Sequence, residues 1–189
     1  MLKLFEGDIK DLTCGLQDTV IMIASTSQSA TLRAKSLKIL GHLIKAEPES
    51  IFDSKIKQLI YLRAKDSSVV NRENALDLID QFLKTNHGKK KTDKSYQLPV
   101  SEFLKHFNRL IVEKAGDRSH LVRRKVIQLL SKILDTASEP SERTMILKVL
   151  MLKWHDSSLA VKENLVSCLA KLLTSKLQRE GVEQAFAFI

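Results

Sequence analysis

Three stretches of this sequence decide its fold: Asp66-Ser-Ser-Val-Val-Asn-Arg72, Asp117-Arg-Ser-His-Leu-Val-Arg123 and Asp156-Ser-Ser-Leu-Ala-Val-Lys162. A weaker copy runs from Ser27 to Arg33. The four basic residues that close these phrases, at 33, 72, 123 and 162, are separated by 39, 51 and 39 residues. The middle stride is one period plus 12. A period of about 40 residues is the sequence signature of stacked helical hairpins, each of which buries its apolar face only against its neighbours. The functional question therefore concerns surfaces rather than a deep pocket.

Counted from each basic residue, apolar side chains recur at offsets 4, 6, 7, 10 and 11. In the second copy these are Leu76, Leu78, Ile79, Phe82 and Leu83, and in the third Ile127, Leu129, Leu130, Ile133 and Leu134. Offsets 4, 7 and 11 line one face of a helix, and 6 and 10 widen it, so each segment is expected to be the broadly buried second helix of a hairpin. Pro48, Pro99 and Pro140 precede Arg72, Arg123 and Lys162 by 24, 24 and 22 residues. A proline loses nothing at a helix's first turn, where its missing N–H would have no intrahelical partner. First helices are thus expected near 49–65, 100–115 and 141–154, with an earlier one near 8–24. The Asp-Ser-Ser and Asp-Arg-Ser clusters fall in the hairpin turns, where Asp and Ser oxygens cap exposed N–H groups.

The expected architecture is all-α, a HEAT/ARM-type helical-hairpin solenoid of about four hairpins, or eight helices, plus the start of another. Residues 1–189 are read as one such array, with repeats at about 8–46, 48–84, 99–137 and 140–176. An exposed basic loop is expected at about 85–98, where Gly88 and a lysine run carry no helical stripe. The terminal segment Val182-Glu-Gln-Ala-Phe-Ala-Phe-Ile189 begins another amphipathic pattern. Arrays normally end in polar caps, so Phe186, Phe188 and Ile189 lead us to expect a piece of a longer array or an end that meets a partner.

Composition narrows the class. The chain has 189 residues, 43% of them hydrophobic, with 6 Gly, 3 Pro and 5% aromatic residues. That balance favours helices over sheet and is enough for a core. Cys14 and Cys168 have no metal or disulfide spacing, which suits a reducing compartment. Glu6 and Asp8 interrupt any secretory leader, and no apolar run reaches the length of a membrane span. His42, His87, His106, His120 and His155 are dispersed, and no phosphate loop or flanked nucleophile occurs. We therefore expect no enzyme, no cofactor, no metal, no small-molecule substrate and no membrane. Trp154 closes a first helix and is expected in the core, with His155 a structural turn residue.

The formal charge is +9, and the excess is uneven. Lys89, Lys90 and Lys91 crowd the loop, while the third copy adds Arg118, Arg124 and Lys125 where the others carry Ser67 or Ser157, Glu73 or Glu163, and Asn74 or Asn164. Together with Arg123 they form a basic region of the kind that attracts phosphate backbones by counterion release, without any base-reading pattern. A lysine run in a loop is also the ordinary composition of a solvated tip. The repeated Asp66, Arg72, Asp117, Arg123, Asp156 and Lys162 are read as structural, each basic residue pairing with a turn aspartate of its own or the adjacent repeat to form a ladder.

The run Leu32-Arg-Ala-Lys-Ser-Leu-Lys-Ile-Leu40, then Ala46-Glu-Pro-Glu-Ser-Ile51, then Asp66 to Phe82, resembles in order the C-terminal HEAT array of the cohesin loader, the adherin or Nipped-B family. Val122-Arg-Arg-Lys-Val-Ile127 looks like that family's next repeat, whereas Asn71 stands where the family usually has valine. The resemblance implies a nuclear, chromatin-bound scaffold. It would contact cohesin subunits and double-stranded DNA, and would stimulate cohesin's ATPase without hydrolysing ATP itself. On that reading the family's contact surface maps onto Arg118, Arg123, Arg124 and Lys125. The alternative is a generic HEAT scaffold, such as a condensin-type regulatory subunit or another protein adaptor, without DNA binding.

Overall fold

A computed structural model describes residues 15–87, 100–137 and 139–180. Among these, eight α-helices occur and no strand. They are α1 (15–26), α2 (Ala30–Ala46), α3 (Ser54–Arg63), α4 (Val69–His87), α5 (Val100–Lys114), α6 (His120–Thr136), α7 (Pro140–Leu152) and α8 (Leu159–Glu180). The all-helical succession of long helices joined by short turns is that of helical-hairpin repeats. The chain divides into two compact units, residues 1–106 and 107–189. The loop lysines Lys89, Lys90 and Lys91, the terminal segment and the early part of the 8–24 helix lie outside the described residues.

Within the first unit α2 packs along α4, and within the second α6 packs along α8. The second helices thus form the continuous contact inside each unit, and the broad apolar stripe explains why. All five stripe positions are buried in α4 and in α6. In α2 the offset-6 residue Ile39 stays 45% exposed, and in α8 the offset-4 residue Val166 stays 50% exposed. Offsets 4 and 6 lie on opposite flanks of the stripe, so α2 and α8 each leave a different flank uncovered.

The first helix of the second hairpin departs from the expected 49–65. Pro48–Phe52 form a 3-10 turn, and α3 starts afresh at Ser54. Asp53 explains the break, because its side chain accepts from the Lys55 N–H at 2.8 Å and caps the new helix. The turn sends Phe52 edge-on to Phe82, with ring centroids 5.6 Å apart. At its far end α4 runs to His87, into the stretch expected to be loop, and Thr85 donates back to the Gln81 and Phe82 carbonyls. Trp154 is also not in the core. It sits in a 3-10 turn, Lys153–His155, and is 52% exposed, where the equivalent residues of earlier repeats are the buried Ala64 and Ala115. An indole does not fit a site sized for a methyl group, so it turns outward. His155, in the same turn, is exposed as well.

One core position is chemically out of place. Asn71 is fully buried at the register position of Val122 and Val161, and neither its amide nitrogen nor its oxygen makes a hydrogen bond. An unmet buried amide costs roughly 1–3 kcal/mol, and an apolar replacement of similar shape removes that cost. Asn71→Val is expected to raise the unfolding free energy by about 1 kcal/mol, read by urea titration. A loss of stability would show that the amide has a partner the fold depends on.

Candidate functional site

The turn aspartates are held by the chain's own backbone before any other residue reaches them. Asp66, Asp117 and Asp156 each accept from the N–H two residues on, at Ser68, Ser119 and Ser158, over 2.9, 2.9 and 3.0 Å. The first turn does the same with a hydroxyl, since Ser27 Oγ accepts from the Ser29 N–H at 3.2 Å. This tight turn leaves two carbonyls facing inward, and the phrase-ending arginine closes them. Arg33 donates to Ser27 and Gln28, Arg72 to Asp66 and Ser67, and Arg123 to Asp117 and Arg118.

Two of these arginines reach forward by 33 residues. Arg33 grips Asp66 through Nε at 2.8 Å and Nη2 at 2.9 Å, and Arg123 grips Asp156 at 2.8 and 2.7 Å. Both are two-pronged pairs of the kind a guanidinium fork makes with a carboxylate. Burial would push the Asp66 carboxyl up, but the Arg33 fork and the Ser68 N–H outweigh it and hold the group well below the usual carboxylate range. At Asp156 the Arg123 hydrogen bond is the largest influence and again lowers the carboxyl against the opposing effect of burial. Lys162, at the same register, is exposed and makes no ion pair among the described residues.

A basic residue three positions before each turn aspartate strengthens the arrangement and is visible in the sequence only once the aspartates are known to be buried. Arg63 meets Asp66 at 2.6 Å, and Lys153 adds to the field that lowers Asp156. Lys114 fills the same position before Asp117 and is itself buried, 3.4 Å from Glu113. Arg33 was likewise legible only as the end of a weak copy, although a spacing of 33 links it to Asp66 just as it links Arg123 to Asp156.

The basic residues of the third copy are thereby sorted. Arg123 is structural, its guanidinium occupied by Asp156 and two carbonyls. Arg118 is exposed, and Arg124 and Lys125 are half-buried, Arg124 with a buried Nε that makes no hydrogen bond. Among the described residues no cluster of His, Cys, Asp and Glu could hold a metal ion, and no helix is long and apolar enough to cross a membrane.

The repeats also build a surface feature that motif reading misses. A groove of about 260 Å³ separates α2 from α4, lined by Lys38, Gly41, His42 and Lys45 on one wall and Asn74, Asp77, Leu78 and Gln81 on the other. A groove of about 410 Å³ separates α6 from α8, with Gln128, Ser131, Lys132 and Asp135 facing Asn164, Ser167, Cys168 and Lys171. The two sets occupy the same register positions: offsets 5, 8, 9 and 12 of one second helix and 2, 5, 6 and 9 of the next. Each unit therefore presents one inter-helix groove whose shape is set by the repeat and whose chemistry is set by where the copies differ.

Because the folded pKa values of Asp66 and Asp156 lie below the unfolded value of about 4, these pairs contribute stability that is fully present above that pH. It is lost as the pH falls through the folded values. Asp66→Asn leaves Arg33 and Arg63 without their carboxylate, and is expected to cost about 3–5 kcal/mol at neutral pH. It should also shed part of the acid-induced loss of stability. Urea titrations at several pH values below neutral check both, and an unchanged acid slope would show that Asp66 is not the group being protonated.

No protein-family signature matches the chain. Over 116 residues, or 61% of its length, it is 25% identical to the Nipped-B-like protein scc-2 of Caenorhabditis elegans. The match spans about 5% of that much longer protein. The chain is thus distantly similar to a Nipped-B-like protein and shares with HEAT-type arrays the all-helical hairpin construction described above.

Proposed function

We propose that this chain is a helical-repeat scaffold acting with cohesin on chromatin, as part of the machinery that loads the ring onto DNA. The observation that carries the proposal is the similarity to the Nipped-B-like protein scc-2 over 116 residues. The helical-hairpin fold and the net charge of +9 support it. On this reading the chain resides in the nucleus, contacts cohesin subunits and double-stranded DNA, and catalyses nothing itself. Any effect on ATP hydrolysis is exerted on a partner. DNA contact would be electrostatic, through exposed Arg118 with its neighbours Arg124 and Lys125 and through Lys89, Lys90 and Lys91.

A second reading keeps the fold and removes DNA. It gains support from Arg123, which lies at the centre of the basic copy yet is tied to Asp156. A scaffold of this kind would hold only protein partners, as a condensin-type subunit or another adaptor would.

Salt-titrated binding of a labelled duplex to the purified chain separates the two. The loading role calls for affinity that falls steeply with salt, and the charge reversals Arg118→Glu, Arg124→Glu and Lys125→Glu together should weaken it about tenfold or more and flatten the salt slope. Helicity is expected to be retained. Absence of duplex binding, with capture of isolated cohesin subunits preserved, would favour the scaffold without DNA. Loss of both would overturn the cohesin assignment.

A further inference from the structure

The groove of the first unit carries a charge pattern that neither the ladder nor the third repeat explains. Lys35, Lys38, His42 and Lys45 follow one another on α2 at intervals of three, four and three residues, which places them on one helical face. That face is opposite the buried stripe of Arg33, Ser36, Leu37, Leu40 and Ile44. All four side chains are exposed, and none makes an ion pair or hydrogen bond with another described residue. Two other surface lysines of the first unit do pair with carboxylates: Lys55 meets Asp18 at 2.7 Å and Lys84 meets Asp80 at 2.9 Å. At the same register α4 carries Asn74, Asp77, Gln81 and Lys84, and α6 carries Lys125, Gln128, Lys132 and Asp135. Only in α2, among these three helices, is the whole ridge basic.

We infer that the α2–α4 groove binds an acidic polypeptide segment in extended form, its carboxylates meeting Lys38, His42 and Lys45 on the α2 wall. Three features favour a polypeptide over a nucleic acid. The opposite wall carries Asp77, which opposes a ligand bearing negative charge at every step but suits a chain whose acidic side chains fall on one side only. That wall also offers the Gln81 carboxamide, which can both donate to and accept from a peptide backbone. The groove, at about 260 Å³, admits side chains and a strand of backbone, whereas a duplex could touch only its rim. Gly41 adds no side chain to the groove, and a Cβ there would sit in ordinary contact, 3.6 Å from a Leu78 methyl group, so a long side chain at this position would occupy groove space. The inference stands apart from the cohesin and DNA reading, because it concerns a different surface and a different ligand.

The test uses the whole chain and a short fluorescein-labelled peptide in which glutamate alternates with alanine. A peptide with glutamine in place of glutamate and a labelled DNA duplex serve as comparators, and binding is read by fluorescence anisotropy. The glutamate peptide should bind, and the glutamine peptide should bind at least about tenfold more weakly. Lys38→Glu with Lys45→Glu should cause a loss of similar size. Gly41→Leu fills the floor without altering charge, and its helical backbone accepts a leucine. It should weaken the peptide about tenfold while leaving duplex affinity unchanged. Circular dichroism and thermal melting establish that each variant is folded. Peptide binding unaffected by Gly41→Leu in the folded variant would overturn the groove. A duplex that competes the peptide away and loses affinity in the Lys38 and Lys45 variant would assign the ridge to nucleic acid instead.

Discussion

The two-pronged bond between an arginine at the start of one second helix and an aspartate in the turn 33 residues later is the contact on which the rest of the structure depends. Each partner has two duties. The aspartate fixes its own turn by accepting a backbone N–H, and the arginine satisfies two inward-facing carbonyls of its own turn. Joining them links the geometry of one turn to that of the next, so the repeats are set in register by a directional interaction and not by apolar contact alone. Such a buried pair is costly to desolvate and weak as a source of net stability, and registry is the role in which buried charges are best attested. The repeat-to-repeat agreement of the two grooves, position for position, is what registry of this kind would produce.

The apolar stripe supplies the driving force and the ladder supplies the specification. A stripe made of offsets 4, 6, 7, 10 and 11 is wider than a helix needs to pack on a single partner. It is fully buried in α4 and α6, while Ile39 in α2 and Val166 in α8 remain half-exposed. The sequence writes the same stripe into every copy regardless of what covers it. The exposure of Ile39 and Val166 follows from that uniformity.

Repetition also separates the residues that recur in every hairpin from those that differ. What recurs is the turn aspartate, the arginine and the basic residue three positions before the aspartate, and these are buried or half-buried. What differs between copies lies on the outer ridge of the second helices: lysines and a histidine in α2, amides, an aspartate and a lysine in α4, a mixture in α6. Of the third-copy basic residues, Arg123 belongs to the recurring set and is structural. The α2 ridge was hidden from motif reading because its residues are ordinary surface types, and only their alignment on one exposed helical face distinguishes them.

The sequence by itself determined the all-helical class, the hairpin period and the placement of the second helices, because a stride near 40 and a helical apolar stripe admit few other folds. It also placed the aspartates in turns, since their capping partners are local. Tertiary structure alone decided which arginine meets which aspartate, that Trp154 points outward where alanines are buried elsewhere, and that Asn71 is enclosed without a hydrogen bond. The division has a physical cause. Periodicity and capping are properties of neighbours along the chain, whereas pairing, burial and groove chemistry depend on which repeats come to lie side by side.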